Sequence, residues 1–288
     1  MKFIDLPQGK YPLMKSLSPA AVSHYNDHGY YAPIRVLSPA KANEIRLKLE
    51  AHEQIHGPLK GPMRHKSHLL FTWLDELIRH PAILDAVEDV IGRNILCWSS
   101  SFFIKEPRDP GFVSWHQDST YWGLDPADII TAWVALSESS SENGAMRVIP
   151  DSQKLEQIPH RDTFAADNLL TRGQEIAVEV DEAKAVMLGL QPGEMSLHHV
   201  RLIHGSEPNP SDKRRIGFAI RYLPTHVRQI VGTRDSATLV RGVDAFHNFE
   251  PEGRPDADLS DAALAVHARV TGEQQKVMMR DSKQATFR

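Results

Sequence analysis

Trp115-His116-Gln117-Asp118 sets an imidazole and a carboxylate two residues apart. In an extended strand alternate side chains share a face, so His116 and Asp118 can grip one metal ion from the same side. A third donor must come from a distant part of the chain. His204, followed by Gly205 and Ser206, offers one; His198 and His199 compete with it, and strict alternation gives His198 the same face as His204. Eleven positions past His204 (215 minus 204), Arg215 heads the apolar run Arg215-Ile216-Gly217-Phe218-Ala219-Ile220. Two imidazoles and one carboxylate on one side of a metal leave the other side open, the ligand set of a non-haem Fe(II) oxygenase. A Zn-dependent hydrolase could use the same three donors, and a barrel that binds a ligand without turnover is the third reading.

These residues need a scaffold, and the sequence supplies two kinds of element. The first third reads as helical support. Leu17-Ser18-Pro19 and Leu37-Ser38-Pro39 each place a serine cap before a proline at the first helical position. Ile45, Leu49, His52 and Ile55 then recur at helical steps until Gly57, and a further helical stretch over 74–91 is interrupted by Pro81 and stopped by Gly92. From Asn94 onward short β-branched and aromatic runs alternate with turn residues. Strands are predicted over 95–105, 113–118, 129–136, 145–149, 176–180, 186–188, 195–199 and 215–223, with tight turns at Asn143-Gly144 and Gln191-Pro192-Gly193. Eight short strands suit a double-stranded β-helix: an all-β, cupin-like jelly roll with flanking helices.

The polar stretch 153–172 reads as an insertion over one mouth of that barrel, and 260–279 as a capped C-terminal helix. The organisation expected is a single domain over 1–288, with helical support in 1–93, the jelly-roll core in 94–225 and an extension in 226–288.

Composition narrows the class. Hydrophobic residues at 41% and charged residues at 24% fit a globular chain, and a net charge of -4 gives no footprint for nucleic acid. No apolar stretch suits a signal peptide or a membrane span, so a cytoplasmic location and no membrane partner are expected. Cys97 stands alone, which excludes an internal disulfide and leaves the 15 histidines and the carboxylates as the stock of metal ligands.

Over 29–223 the chain resembles the phytanoyl-CoA dioxygenase family of Fe(II)/2-oxoglutarate oxygenases. The blocks WHQDSTYWGL, ITAWVALSESSSENGAMRVIP and HGSEPNPSDKRRIGFAIRY carry the likeness, in that order. The resemblance implies that His116, Asp118 and His204 hold Fe(II), with 2-oxoglutarate and O2 as cosubstrates. It implies Arg215 as the partner of the far carboxylate of 2-oxoglutarate, Ser206 as a hydroxyl donor to it, Trp133 as an aromatic wall beside it, and Lys66 in HKSHLLF as an upstream cosubstrate lysine. Because Asp118 is present where related halogenases have a small residue, the resemblance points to hydroxylation or desaturation rather than chlorination. Its wording is nearer to bacterial small-molecule members, including hydroxylases of aminoalkylphosphonates, than to the fatty acyl-CoA enzymes. Hydroxylation of an amino acid, a betaine-like compound or an acyl thioester is the alternative.

Strand parity adds one reading of its own. Arg215, Gly217, Ala219 and Arg221 share a face, so two small residues leave room between two guanidinium groups and Arg221 is a second anion anchor. Tyr121, His198, Arg201 and Lys105 are further candidates to meet a small polar substrate.

Overall fold

The computed structural model describes residues 15–232 and 235–282; residues 1–7, where no leader-like run is expected, lie outside them. Ser18 and Ser38 cap helices α1 (Pro19–His28) and α2 (Pro39–His56), each accepting a backbone N–H with its hydroxyl, as the Ser-Pro pairs predict. Helix α2 buries Ala42, Ile45 and Leu49 but leaves Ile55 76% exposed, so its apolar face ends at Leu49. The stretch over 74–91 is two helices, α3 (Thr72–Ile78) and α4 (Pro81–Ile91), since Pro81 opens a new helix more readily than it continues one. A last helix, α5 (Asp261–Met278), begins at Ser260.

The strands are β1 (Tyr30–Arg35), β2 (Ile95–Lys105), β3 (Val113–His116), β4 (Leu124–Asp125), β5 (Ile130–Ala135), β6 (Met146–Val148), β7 (His160–Asp162), β8 (Gln174–Ile176), β9 (Val186–Leu188), β10 (Glu194–His199), β11 (His204–Ser206), β12 (Arg215–Pro224), β13 (Arg228–Gln229), β14 (Ser236–Arg241) and β15 (Glu250–Pro251). A large sheet runs β1-β10-β5-β12-β2-β14-β15 and a small one β3-β11-β6-β9; β4 with β13 and β7 with β8 form separate pairs. The large sheet takes β1 from the first third of the chain and β14 and β15 from the region after 225.

Two departures from the expected strands bear on function. The strand predicted over 176–180 lies instead at β8, paired with β7, because 153–172 folds back as a hairpin. The strand predicted over 113–118 stops at His116, and Asp118 opens a one-turn 3-10 helix.

Strand β12 shows why the two faces of the large sheet differ. Ile216, Phe218, Ile220 and Tyr222 pack with Leu49, Leu74, Ile83 and Val87 of the helices in the main core. Their alternates Arg215, Ala219 and Arg221 line a cavity between the two sheets. No helix among the described residues is long and apolar enough to cross a membrane.

Candidate metal centre and adjoining cavities

His116 and His204 are direct partners across the antiparallel β3–β11 pair, with ring centroids 4.1 Å apart. Gln117 keeps extended backbone angles, so Asp118 still returns to the His116 side, and its Oδ1 lies 3.3 Å from His116 Nε2. The donor atoms of His116, Asp118 and His204 all fall within 4.8 Å of one another. Each imidazole is oriented alike: His116 Nδ1 sits 2.9 Å from the Ser114 carbonyl and His204 Nδ1 2.9 Å from that of Leu202. An Nδ1–H committed to a carbonyl presents Nε2 as the free lone pair, which is how metal-binding imidazoles are fixed.

The electrostatics agree with a cation site. Burial alone would raise the Asp118 carboxyl, but the adjoining His116 and His204 imidazoles and the Arg221 guanidinium hold it well below the usual carboxylate range. Burial, reinforced by His116, pushes His204 down to about 4. A carboxylate and a neutral imidazole are protonation states that bind a metal.

His198 lies against His204, ring centroids 4.8 Å apart, and lines the same cavity, yet it stands outside the three-donor group. The competition left open by alternation falls to His204 because β11 brings it opposite His116, while His198 pairs with Thr131 on β5.

The cavity between the sheets has the three donors and Arg215 in its wall, with Ser206, Trp133 and Arg221. Arg215 donates through Nη1 to the carbonyl of Gly144, while its Nε is buried without a partner. Trp133 lies 5.5 Å from the Arg215 guanidinium. The indole fills the space over Gly217: a Cβ there would stand 1.8 Å from Trp133 Cζ2. Gly217 is therefore small to admit Trp133, and the expected room for a ligand at this position is taken.

Lys105 is placed by register directly opposite Arg215, not at a substrate-facing rim. Its amine donates to Ser206 Oγ at 2.8 Å and to the carbonyl of Glu207. Burial, then the Arg215 charge, pushes it down to about 7. Among the described residues neither Lys105 nor Arg215 forms an ion pair; hydroxyl and carbonyl acceptors meet their donors, and the carboxylates of Asp109 and Glu207 act on them only from beyond ion-pair distance.

Three expected residues lie elsewhere. Lys66 has left-handed backbone angles (φ 47, ψ 32), and its amine is held by Glu252 Oε1 at 2.5 Å and the Ser236 carbonyl at 2.7 Å, away from the cavity. Tyr121 donates to Asp162 at 2.7 Å and stacks under Arg172, fixing the β7–β8 hairpin. Arg201 acts through its carbonyl, which accepts from Gln117 Nε2 at 2.9 Å. Neither Tyr121 nor Arg201 belongs to the cavity wall.

A second cavity adjoins the first and shares Phe103, Asp118 and Arg221 with it. Arg221 donates to Ser101 at 2.8 Å and sits 5.8 Å from the Trp122 ring. Leu169, Leu170 and Thr171 close one side. Helix α5 closes another side with Gln274 and Met278, residues that sequence reading missed. The available signal was a polar glutamine on the stripe Ala263, His267, Thr271, Gln274 that α5 buries.

A model of the phytanoyl-CoA dioxygenase family matches residues 13–217. Among curated proteins, a probable alpha-ketoglutarate-dependent hypophosphite dioxygenase of Stutzerimonas stutzeri is 32% identical over 167 residues, 57% of this chain and 58% of that protein. The peroxisomal phytanoyl-CoA dioxygenase of Homo sapiens is 29% identical over 185 residues, 60% of this chain and 54% of that one. The chain thus spans little more than half the length of these relatives. Among solved structures, apo ThoJ, a non-heme monooxygenase, superposes with a TM-score of 0.81 at 34% identity, covering 90% of this chain and 97% of that one. CytC3 with Fe(II) and alpha-ketoglutarate gives 0.62 at 26% identity, covering 83% and 95%.

Proposed function

Because the chain belongs to the phytanoyl-CoA dioxygenase family, we propose that it is an Fe(II)/2-oxoglutarate-dependent dioxygenase that hydroxylates an aliphatic C–H bond of a small anionic molecule. One observation carries the reading: Arg215, buried and without an ion pair, stands in the wall of the cavity that presents His116, Asp118 and His204, with Lys105 opposite it in register. An unpaired cation in a low-dielectric interior is costly, and a cosubstrate carboxylate is the group that would neutralise it. A hydrolytic zinc centre would leave that pair without an anion.

The donor chemistry fits the implied metal, with two oriented imidazoles and one ionised carboxylate. When bound, ferrous iron with 2-oxoglutarate activates O2 for C–H oxidation, giving succinate and CO2. His116, Asp118 and His204 hold the metal and leave its other positions to small molecules. Arg215 gives the far carboxylate of the cosubstrate a planar, always-charged partner; Lys105 and Ser206 supply further donors to it. Trp133, held in place by Gly217, walls that end from water. On the other side Arg221 borders both cavities and, with Arg64 in the second, favours an anionic substrate beside the metal. The Stutzerimonas relative is named for a small oxyanion, which points the same way.

Purified protein given Fe(II) and 2-oxoglutarate without O2 is expected to develop a visible charge-transfer band. Small phosphonates, among them 2-aminoethylphosphonate and its N-methyl analogues, and small carboxylates are then screened for substrate-stimulated succinate. A protein that binds Fe(II) but shows no band with 2-oxoglutarate would sink the reading.

A further inference from the structure

The second cavity contains a side chain that the fold itself leaves unsatisfied. Gln274 is only 2% exposed, and both its Oε1 and Nε2 are buried with no hydrogen-bond partner. It borders the second cavity from helix α5. A buried polar group without partners is destabilising, and such groups are rare in native folds, so two on one side chain call for a ligand. The helix is pinned rather than loosely laid: His267 Nε2 lies 2.8 Å from the His65 carbonyl, and Arg172 donates to the Met278 carbonyl at 3.2 Å. Gln274 is thus held at the cavity wall by contacts that do not involve its own amide.

The rest of the wall defines what could meet it. Arg64 and Arg221 supply positive charge, and aromatic groups such as Trp98, Trp122 and Phe103 supply apolar surface. The one carboxylate in the lining is Asp118, which belongs to the metal donors. A ligand ammonium would find no free counter-charge here and two guanidinium groups to repel it. An amide needs no counter-charge, and its N–H and C=O match Oε1 and Nε2 of Gln274.

Resting on the oxygenase reading above, we infer that Gln274 is a specificity-determining residue and that the substrate is a small organic anion bearing a carboxamide, the anion toward Arg221 and the amide against Gln274. Gln274 lies outside the residues the family model matches, so this selectivity belongs to the C-terminal helix of this chain.

The test uses the full chain loaded without O2 with Fe(II) and 2-oxoglutarate, its charge-transfer band recorded before calorimetric titration. N-acetyl-L-leucine is compared with the matching O-acetyl ester of the 2-hydroxy acid, which keeps the anion and the shape but lacks the N–H. The wild type is expected to bind the amide about tenfold more tightly or better. Gln274→Leu should bring that ratio near one. In the ligand-free protein the same substitution removes two orphaned polar atoms, so Tm should rise, by about 2–4 °C.

Equal affinity in the wild type, a ratio that survives in Gln274→Leu, or no binding of either probe overturns the inference. So does a lower Tm, which would make Gln274 part of the fold's own network. If instead 2-aminoethylphosphonate is preferred over propylphosphonate while the amide and ester are not distinguished, the recognised group is an amine and the inference fails. A missing band overturns this inference together with the oxygenase reading, whereas a normal band with no discrimination overturns this inference alone.

Discussion

Two of the described lysines are fully buried, and they are treated in opposite ways. Lys66 meets Glu252, whose carboxylate also accepts from Ser236 Oγ at 2.7 Å and Thr238 Oγ1 at 2.7 Å. Burial alone would raise Glu252, yet Lys66 and His68 hold it well below the usual carboxylate range. That cluster is electrically complete. Lys105 instead faces Arg215, with one hydroxyl and backbone carbonyls as acceptors, and its pKa falls to about 7. A buried charge answered from within the chain serves the fold; one left unanswered marks where an anion from outside belongs.

Removing a partner from the complete cluster should have the largest effect. Glu252→Ala leaves the Lys66 ammonium buried with no carboxylate, and the unfolding free energy measured in urea should drop by about 3–5 kcal/mol. The folded fraction should bind 2-oxoglutarate as before. A loss below about 1 kcal/mol would erase the contrast between the two lysines.

Arg215→Met makes the reverse cut. It removes a buried cation that forms no ion pair among the described residues, so ligand-free stability should hold or rise. Affinity for 2-oxoglutarate should fall on the order of 10²-fold, since a charged partner is lost from a buried site. A stability loss with unchanged affinity would place Arg215 with the structural charges.

The contrast also explains what could be read from the sequence. His116 and Asp118 were legible because two residues of extended chain suffice to bring them together, and that local geometry holds even though the strand ends at His116. Arg215 and Arg221 followed from the parity of a long, regular strand. Lys66 went wrong because a left-handed residue between two short 3-10 turns has no periodicity to say where its side chain goes. Lys105 stands in the sequence as a candidate substrate contact because its partnership with Arg215 is a matter of register between distant strands. Strand β11 was missed: His-Gly-Ser has neither the length nor the composition of a strand, and pairing with β3 and β6 alone makes it one. Strand β1 was missed as well, lying between two capped helices with Pro33 inside it. Gln274 lay beyond any catalytic motif, and its meaning rests on the lack of a partner, which only packing reveals.

The smallest expected effect concerns protons, and it gives Lys105 a signature of its own. A lysine in the unfolded chain titrates near 10.4, whereas folding brings Lys105 down to about 7 through burial and the Arg215 charge. Between these values the unfolded chain binds more protons than the folded one, so ligand-free stability should rise with pH across the window and show no such slope below about 7. Cosubstrate binding should run the other way. Above about pH 7 the amine is neutral and must take up a proton to meet a carboxylate, so Kd for 2-oxoglutarate should weaken by up to about tenfold per pH unit. Titrations in two buffers of different ionisation enthalpy would report that uptake directly. Lys105→Met should abolish both slopes, which isolates them from every other titrating group. If affinity does not vary between pH 6 and 9, or varies equally in Lys105→Met, Lys105 does not serve the anion and its likeness to Arg215 ends at their shared register.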